Sequence, residues 1–150
     1  MASYLYPPVV VKVGEKMADT ELKDLAGKKH QLADFKGKYL LIDFWSIGCG
    51  PCIAAMPELK KLHESAPANL AVISLSLDQS EETWKAATAH VKMDWTNLSD
   101  GKGMAGLAAN YGVTGIPHYI IISPEGVLLE SWVGYSEGDL EKKISKFVQR

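Results

Sequence analysis

The stretch from Trp45 to Pro57, WSIGCGPCIAAMP, holds both cysteines of a 150-residue chain, Cys49 and Cys52. A disulfide between residues three apart closes a tiny loop and ties down nothing distant, so it adds little to architecture. The pair therefore points to chemistry. Its flanks differ sharply. Before it, Tyr39–Trp45 reads YLLIDFW, apolar at both parities apart from one acid, as in a strand covered on both faces. After it, the chain from Pro51 to about Ser65 is expected to be helical. Ile53, Met56, Leu59 and Leu62 form its core stripe, and Pro57 is expected to kink it.

A strand, a C-x-x-C and a helix in that order set up one sulfur for nucleophilic attack. Only a thiolate attacks. At a helix N-terminus the free backbone N–H groups and the positive end of the dipole favour negative charge on sulfur. Pro51 suits the first turn, where its missing N–H costs nothing, and Gly50 leaves the first sulfur uncovered by a side chain. Cys49 is thus expected to be the exposed, low-pKa attacking sulfur and Cys52 the buried resolving one. A pair that merely packs is the bland alternative. A zinc site would need four ligands, whereas His30, His63, His90 and His118 lie at unrelated spacings, so no metal is expected.

Two further positions stand out. Asp43 interrupts the apolar run six residues before Cys49. Burial would raise its pKa and, under the helix start, it could accept the proton of Cys52 directly or through a water. The other reading is an acid at a frayed strand end facing solvent. Gly115-Ile116-Pro117-His118 precedes another apolar run, and Pro117 is either a tight-turn proline, with or without a cis bond, or a plain loop residue.

The rest of the chain bounds the fold. Its length suits one domain, 1–150. Hydrophobic content of 47%, charged content of 23% and a formal net charge of −2 are ordinary for a globular protein and give no field for nucleic acid or anionic membrane. No apolar run is long enough to cross a bilayer. MASYLYPPVVV lacks the basic start and long apolar segment of a signal peptide. Residues 1–12 look extended. Ala26-Gly27-Lys28-Lys29 reads as the turn of an N-terminal β-hairpin ending near Gly37-Lys38. Strands are expected at Asn69–Asp78, Asp94–Leu98, His118–Ser123 and Val127–Gly134. Helices are expected at Glu81–Val91, Met104–Tyr111 and Gly138–Gln149. The order predicts an α/β fold, a central mixed β-sheet flanked by helices on both faces.

DFW-x-x-x-CGPC, then YGVTGIP and VGYSEGDL in register, resemble the thioredoxin superfamily from Tyr39 to the C-terminus. The N-terminal hairpin, the MPEL helix and the inserted helix–strand segment at Glu81–Leu98 are similar to its TlpA/ResA branch of thiol–disulfide oxidoreductases, proteins of bacterial envelopes that are often tethered or fused. The resemblance implies a thioredoxin-like fold and roles for particular residues. Cys49 would be the nucleophile, Cys52 the resolving cysteine and Asp43 the buried acid. Pro117 would be the cis-proline against the disulfide, with Ile116 offering backbone pairing to substrate. Gly134 would keep the groove flat and Trp45 would pack beside the site, with Gly48, Gly50 and Pro51 completing its rim.

It implies no cofactor beyond the redox-active disulfide, protein disulfide or dithiol substrates, an upstream electron donor, and a monomer in the periplasm or cell envelope, this domain being either a whole protein or one excised from a longer envelope protein. The chain departs from the pattern in three places. Gly48 replaces the thioredoxin tryptophan, Ser74 stands where thioredoxins pair a lysine with their acid, and Ala55 stands where ResA proteins carry a glutamate. His118 is unusual; it either tunes the site or packs in its strand. The competing classes are a redox-inert binding module and a peroxiredoxin-like peroxidase. Against the latter, Ser46 and Ile42 occupy the positions of the peroxiredoxin threonine and proline.

Overall fold

Strand β3, Tyr39–Trp45, is the axis of the molecule. The computed structural model describes residues 10–149; the expected extended stretch at Pro7-Pro8 lies outside them. β3 pairs in parallel with β4 (Leu70–Ser76) and antiparallel with β6 (His118–Ile122). The five-stranded sheet has the order β5-β4-β3-β6-β7, with β5 at Thr96–Leu98 and β7 at Leu128–Val133. A small antiparallel hairpin, β1 (Leu22–Lys23) with β2 (Lys29–His30), precedes it. Lys23 exchanges backbone bonds of 2.9 and 3.0 Å with Ser99, which joins the hairpin to the chain just after β5.

Because side chains alternate along a strand, the apolar run of β3 feeds two cores. Leu41 and Trp45 point into one with Tyr119 and Ile121 of β6, covered by helices α1 (Gly50–Glu64), α2 (Glu81–Val91) and α4 (Asp139–Ile144). Leu40, Ile42 and Phe44 point into the other with Ile120 and Ile122, covered by Leu22 of the hairpin, Leu32 of a 3-10 turn and helix α3 (Leu107–Asn110). The sheet is thus covered on both faces, as the pattern predicted.

Two helices are shorter than expected. The segment Met104–Tyr111 divides into a 3-10 turn at Gly103–Ala105 and α3, broken at Gly106 with φ −93° and ψ −131°. The Asp100 carboxylate accepts from the Leu107 N–H at 2.7 Å and sits where a side chain on residue 106 would be. α4 ends at Ile144 and the chain continues in turns rather than reaching Gln149 as a helix. α1 runs through Pro57, whose absent N–H leaves the Ile53 carbonyl without its helical donor.

Candidate active site

The carboxyl end of β3 delivers the chain through Ser46-Ile47-Gly48 to the start of α1. Cys49 is the N-cap residue, with φ −102° and ψ 101°, and its Sγ accepts from the Cys52 N–H at 3.2 Å. Pro51 lies in the first turn, as the sequence predicts. Cys49 and Cys52 form a disulfide with a Cα–Cα separation of 5.2 Å. The expected asymmetry is present but smaller than anticipated. Cys52 is fully covered, and Cys49, expected to be exposed, keeps only 8% of its surface accessible. The reason is its position at the edge of the α1-side core, in one cluster with Trp45, Ala55 and Met56. Gly48, Gly50 and Pro51 are exposed around it, with open space beside both glycines.

Asp43 is wholly buried, which removes the reading of a solvated strand end. It shares the Leu41/Trp45 face of β3 and so the side covered by α1. Desolvation raises its carboxyl to about 7, opposed in part by a hydrogen bond from the Ser74 hydroxyl to Oδ2 at 3.1 Å. The Trp95 indole N–H donates to Ser74 Oγ at 2.8 Å. Oδ1 has no partner among the described residues. Neither does the hydroxyl of Tyr119, the residue opposite Asp43 on β6. Burial, then the nearby Asp43, pushes the Tyr119 phenol upward. Trp45 is fully buried beside the cysteines, its indole nitrogen also unpartnered among the described residues.

The Ile116–Pro117 bond is cis. The Pro117 carbonyl accepts from the Gly134 N–H at 2.8 Å, joining the start of β6 to the end of β7. Gly134 has φ +95° and open space where a side chain would lie. Ile116 is half-buried and touches both cores. His118 faces away from Asp43. Its ring stands edge-on to Phe44 with centroids 6.2 Å apart, its Nε2 pairs with Ser131 Oγ at 2.8 Å, and burial holds its imidazole below the usual value. It packs in the strand.

Sequence reasoning missed three supports. Asp78 Oδ2 accepts from the Ile47 N–H at 3.3 Å and from the Ser76 hydroxyl at 3.4 Å, fixing the loop before Cys49 to the end of β4. Glu58 of α1 accepts from the Tyr135 hydroxyl and the Gly138 N–H, both at 2.8 Å, and from the Glu141 N–H at 3.1 Å, which seats α4 against α1. Trp95 acts on Asp43 through Ser74. The signals for Asp78 and Glu58 were an acid closing a buried strand and an acid on the polar side of a helix, neither specific.

The profile of the AhpC/TSA family matches residues 13–131. The chain belongs to that family. It is 31% identical over 146 residues to the thioredoxin-like protein YneN of Bacillus subtilis, covering 95% of this chain and 84% of that protein. It is 26% identical over 138 residues to the thiol–disulfide oxidoreductase ResA of Bacillus thuringiensis subsp. konkukian, covering 91% and 79%. Among solved structures it matches the thioredoxin domain of a thiol–disulfide oxidoreductase from Bacteroides vulgatus with a TM-score of 0.83 and 31% identity, covering 93% and 99%. Within the AhpC/TSA family the chain is a TlpA/ResA-like member of the thioredoxin superfamily, with the thioredoxin-like fold.

With a disulfide-forming C-x-x-C at a helix start and these relatives, the protein is a thiol–disulfide oxidoreductase. Neither the redox-inert module nor the peroxidase is favoured by these findings. Among the described residues no three His, Cys, Asp or Glu are grouped to hold a metal, and no helix is long and apolar enough to cross a membrane.

Proposed function

We propose that the protein reduces protein disulfides, with Cys49 as nucleophile and Cys52 as resolving thiol. The observation that carries this reading is the capping geometry: Cys49 Sγ receives the Cys52 N–H at the first turn of α1. The same contact and helix end would stabilise a thiolate there once the disulfide is reduced. The Cys49 thiolate attacks one sulfur of the substrate disulfide, and the substrate's other sulfur leaves as a thiolate. Cys52 then gives its proton to the Asp43 carboxylate and attacks Cys49 Sγ. The second substrate thiolate departs, leaving Cys49–Cys52 oxidised. A dithiol donor returns two electrons.

In this reading Asp43 is the proton acceptor. Ile116 offers its backbone to an extended substrate segment beside Pro117, and Gly134 leaves that groove unobstructed. The residues form one thioredoxin-like domain that works as a monomer in the bacterial envelope, on the strength of the TlpA/ResA likeness. The reducing direction is favoured by Gly50-Pro51, the dipeptide shared with thioredoxins.

The test is the midpoint potential of the Cys49/Cys52 couple, read by tryptophan fluorescence in dithiol buffers. Thioredoxin lies near about −270 mV and the oxidant DsbA near about −120 mV. A value at or below about −250 mV supports a reductase. One well above about −200 mV makes the protein an oxidant or isomerase, and the absence of any reversible couple would restore the binding-module reading.

A further inference from the structure

Among the described residues the Asp43 carboxyl is held by one oxygen only, Oδ2. We propose that Ser74 and Trp95 are positioning residues that grip Oδ2 and leave Oδ1 as the oxygen that gains and loses the proton, an inference that rests on Asp43 being the proton acceptor.

The argument is one of hydrogen-bond polarity. An indole N–H can only donate. Trp95 donates to Ser74 Oγ at 2.8 Å, so the hydroxyl receives there and is free to direct its single hydrogen elsewhere. Asp43 Oδ2 lies 3.1 Å away. The chain Trp95 to Ser74 to Asp43 therefore runs one way, and its end is a donor aimed at the carboxyl. A proton on Oδ2 would oppose that donor. Ser74 could accept it only by turning its own hydrogen away into a site where both side chains are buried, at a cost of about 1–3 kcal/mol for an unsatisfied group. Oδ1 has no partner among the described residues, so protonating it displaces no hydrogen bond.

Lining the same side are Tyr119 of β6 opposite Asp43, with its hydroxyl unpartnered among the described residues, and Cys52 of α1 in the same core. Tyr119 is in turn influenced by Tyr135, Glu58 and Asp139. His63 of α1 also lies beside Trp95, ring centroids 6.3 Å apart. None of these donates to Oδ2. Ser74, the neutral donor on Oδ2, thus stands where the thioredoxin pattern places a lysine beside the acid, and Trp95 touches the carboxyl only through it. A neutral donor favours the carboxylate less than a charge does and leaves the proton within reach near neutral pH.

Two readouts on the full chain test this. The first is the 13C carboxyl titration of Asp43 in wild type, Ser74→Ala, Ser74→Thr and Trp95→Phe. The second is the pH profile of kcat/KM for reduction of a protein disulfide with dithiothreitol as electron source. Removing the donor weakens the carboxylate, so Ser74→Ala moves the Asp43 midpoint and the acidic limb of the profile upward by about one pH unit. Trp95→Phe frees the serine to accept as well as donate and moves both the same way by less. Ser74→Thr restores the wild-type values. Midpoints in Ser74→Ala and Trp95→Phe that coincide with wild type would overturn the proposal, and Trp95→Phe decides it alone where Ser74→Ala does not fold. Asp43→Asn separates the two ideas. If it keeps the wild-type pH profile, Asp43 is not the acceptor, whereas the carboxyl titration still reports on the grip.

Discussion

Burying Asp43 must cost stability, and the cost has a sign and a pH window. The carboxyl is raised to about 7 in the fold from its ordinary value of 3.8, with desolvation as the main cause. Between these two values the folded chain holds a proton that the unfolded chain has released. Stability therefore falls as pH rises through that interval and is lowest above the folded pKa. Roughly three pH units at 1.36 kcal/mol each give about 4 kcal/mol lost between pH 4 and pH 8. That is a sizeable part of the 5–15 kcal/mol that holds a domain folded.

The perturbation is Asp43→Asn, and the assay is urea unfolding of the oxidised proteins at pH 4 and pH 8. In the disulfide state neither cysteine titrates. The amide brings its own penalty, since the Oδ1 side offers its N–H groups no partner among the described residues, but that penalty is the same at both pH values. The quantity to read is therefore the change in the mutant-minus-wild-type difference. It is expected to shift in the variant's favour by about 4 kcal/mol on going from pH 4 to pH 8. A shift below about 1 kcal/mol would refute the reasoning, because it would require the folded carboxylate to be solvated or paired with a cation.

Cys49→Ser is expected to abolish disulfide reduction, whereas Cys52→Ser attacks but cannot resolve and accumulates a mixed disulfide, visible by mass spectrometry under non-reducing conditions. Glu58→Ala removes the acceptor for Tyr135, Gly138 and Glu141; it should cost about 1–2 kcal/mol in denaturant unfolding and speed amide exchange in α4. Gly106→Ala drives a methyl into the Asp100 carboxylate that caps Leu107; a loss of about 1–3 kcal/mol is expected, and a neutral result would mean the loop moves freely. Gly134 has φ +95° with no atom of the described residues within 4 Å of where a Cβ would lie, so Gly134→Ala should cost about 1–2 kcal/mol through backbone strain alone.

How far the sequence could be read followed the range of the interactions. YLLIDFW announced a doubly covered strand because burial on both faces leaves a mark on every residue of the run. The cysteine pair located the start of α1 because that reading needs only neighbours in sequence. Asp43 was legible as a candidate, but its burial was not: whether an acid in a strand is covered depends on what packs over it, here α1. The break at Gly106 was hidden because helical periodicity from Met104 to Tyr111 says nothing about a carboxylate six residues back that occupies the space beside it. Ser74 was noticed only as a missing lysine. Its bond to Trp95 spans 21 residues between the chain at β4 and the segment entering β5, and no pattern in either segment encodes it.

The substitutions around Asp43 fit together physically. A carboxylate beside a cation is stabilised in its charged form and its pKa falls, whereas one beside a neutral hydroxyl keeps most of the desolvation penalty. With Ser74 as the partner on Oδ2, the acid titrates at about 7. A proton acceptor is most effective when its pKa lies near the working pH, because it is then ionised often enough to accept and basic enough to hold what it accepts. Ser74 offsets part of the desolvation and so keeps the raised pKa from rising further. Trp95 keeps Ser74 from becoming a competing acceptor. In the proposed mechanism the same burial that costs the fold stability above pH 7 sets the acid where proton transfer from Cys52 would be balanced, and the two apolar cores that cover the sheet on either side offset that cost.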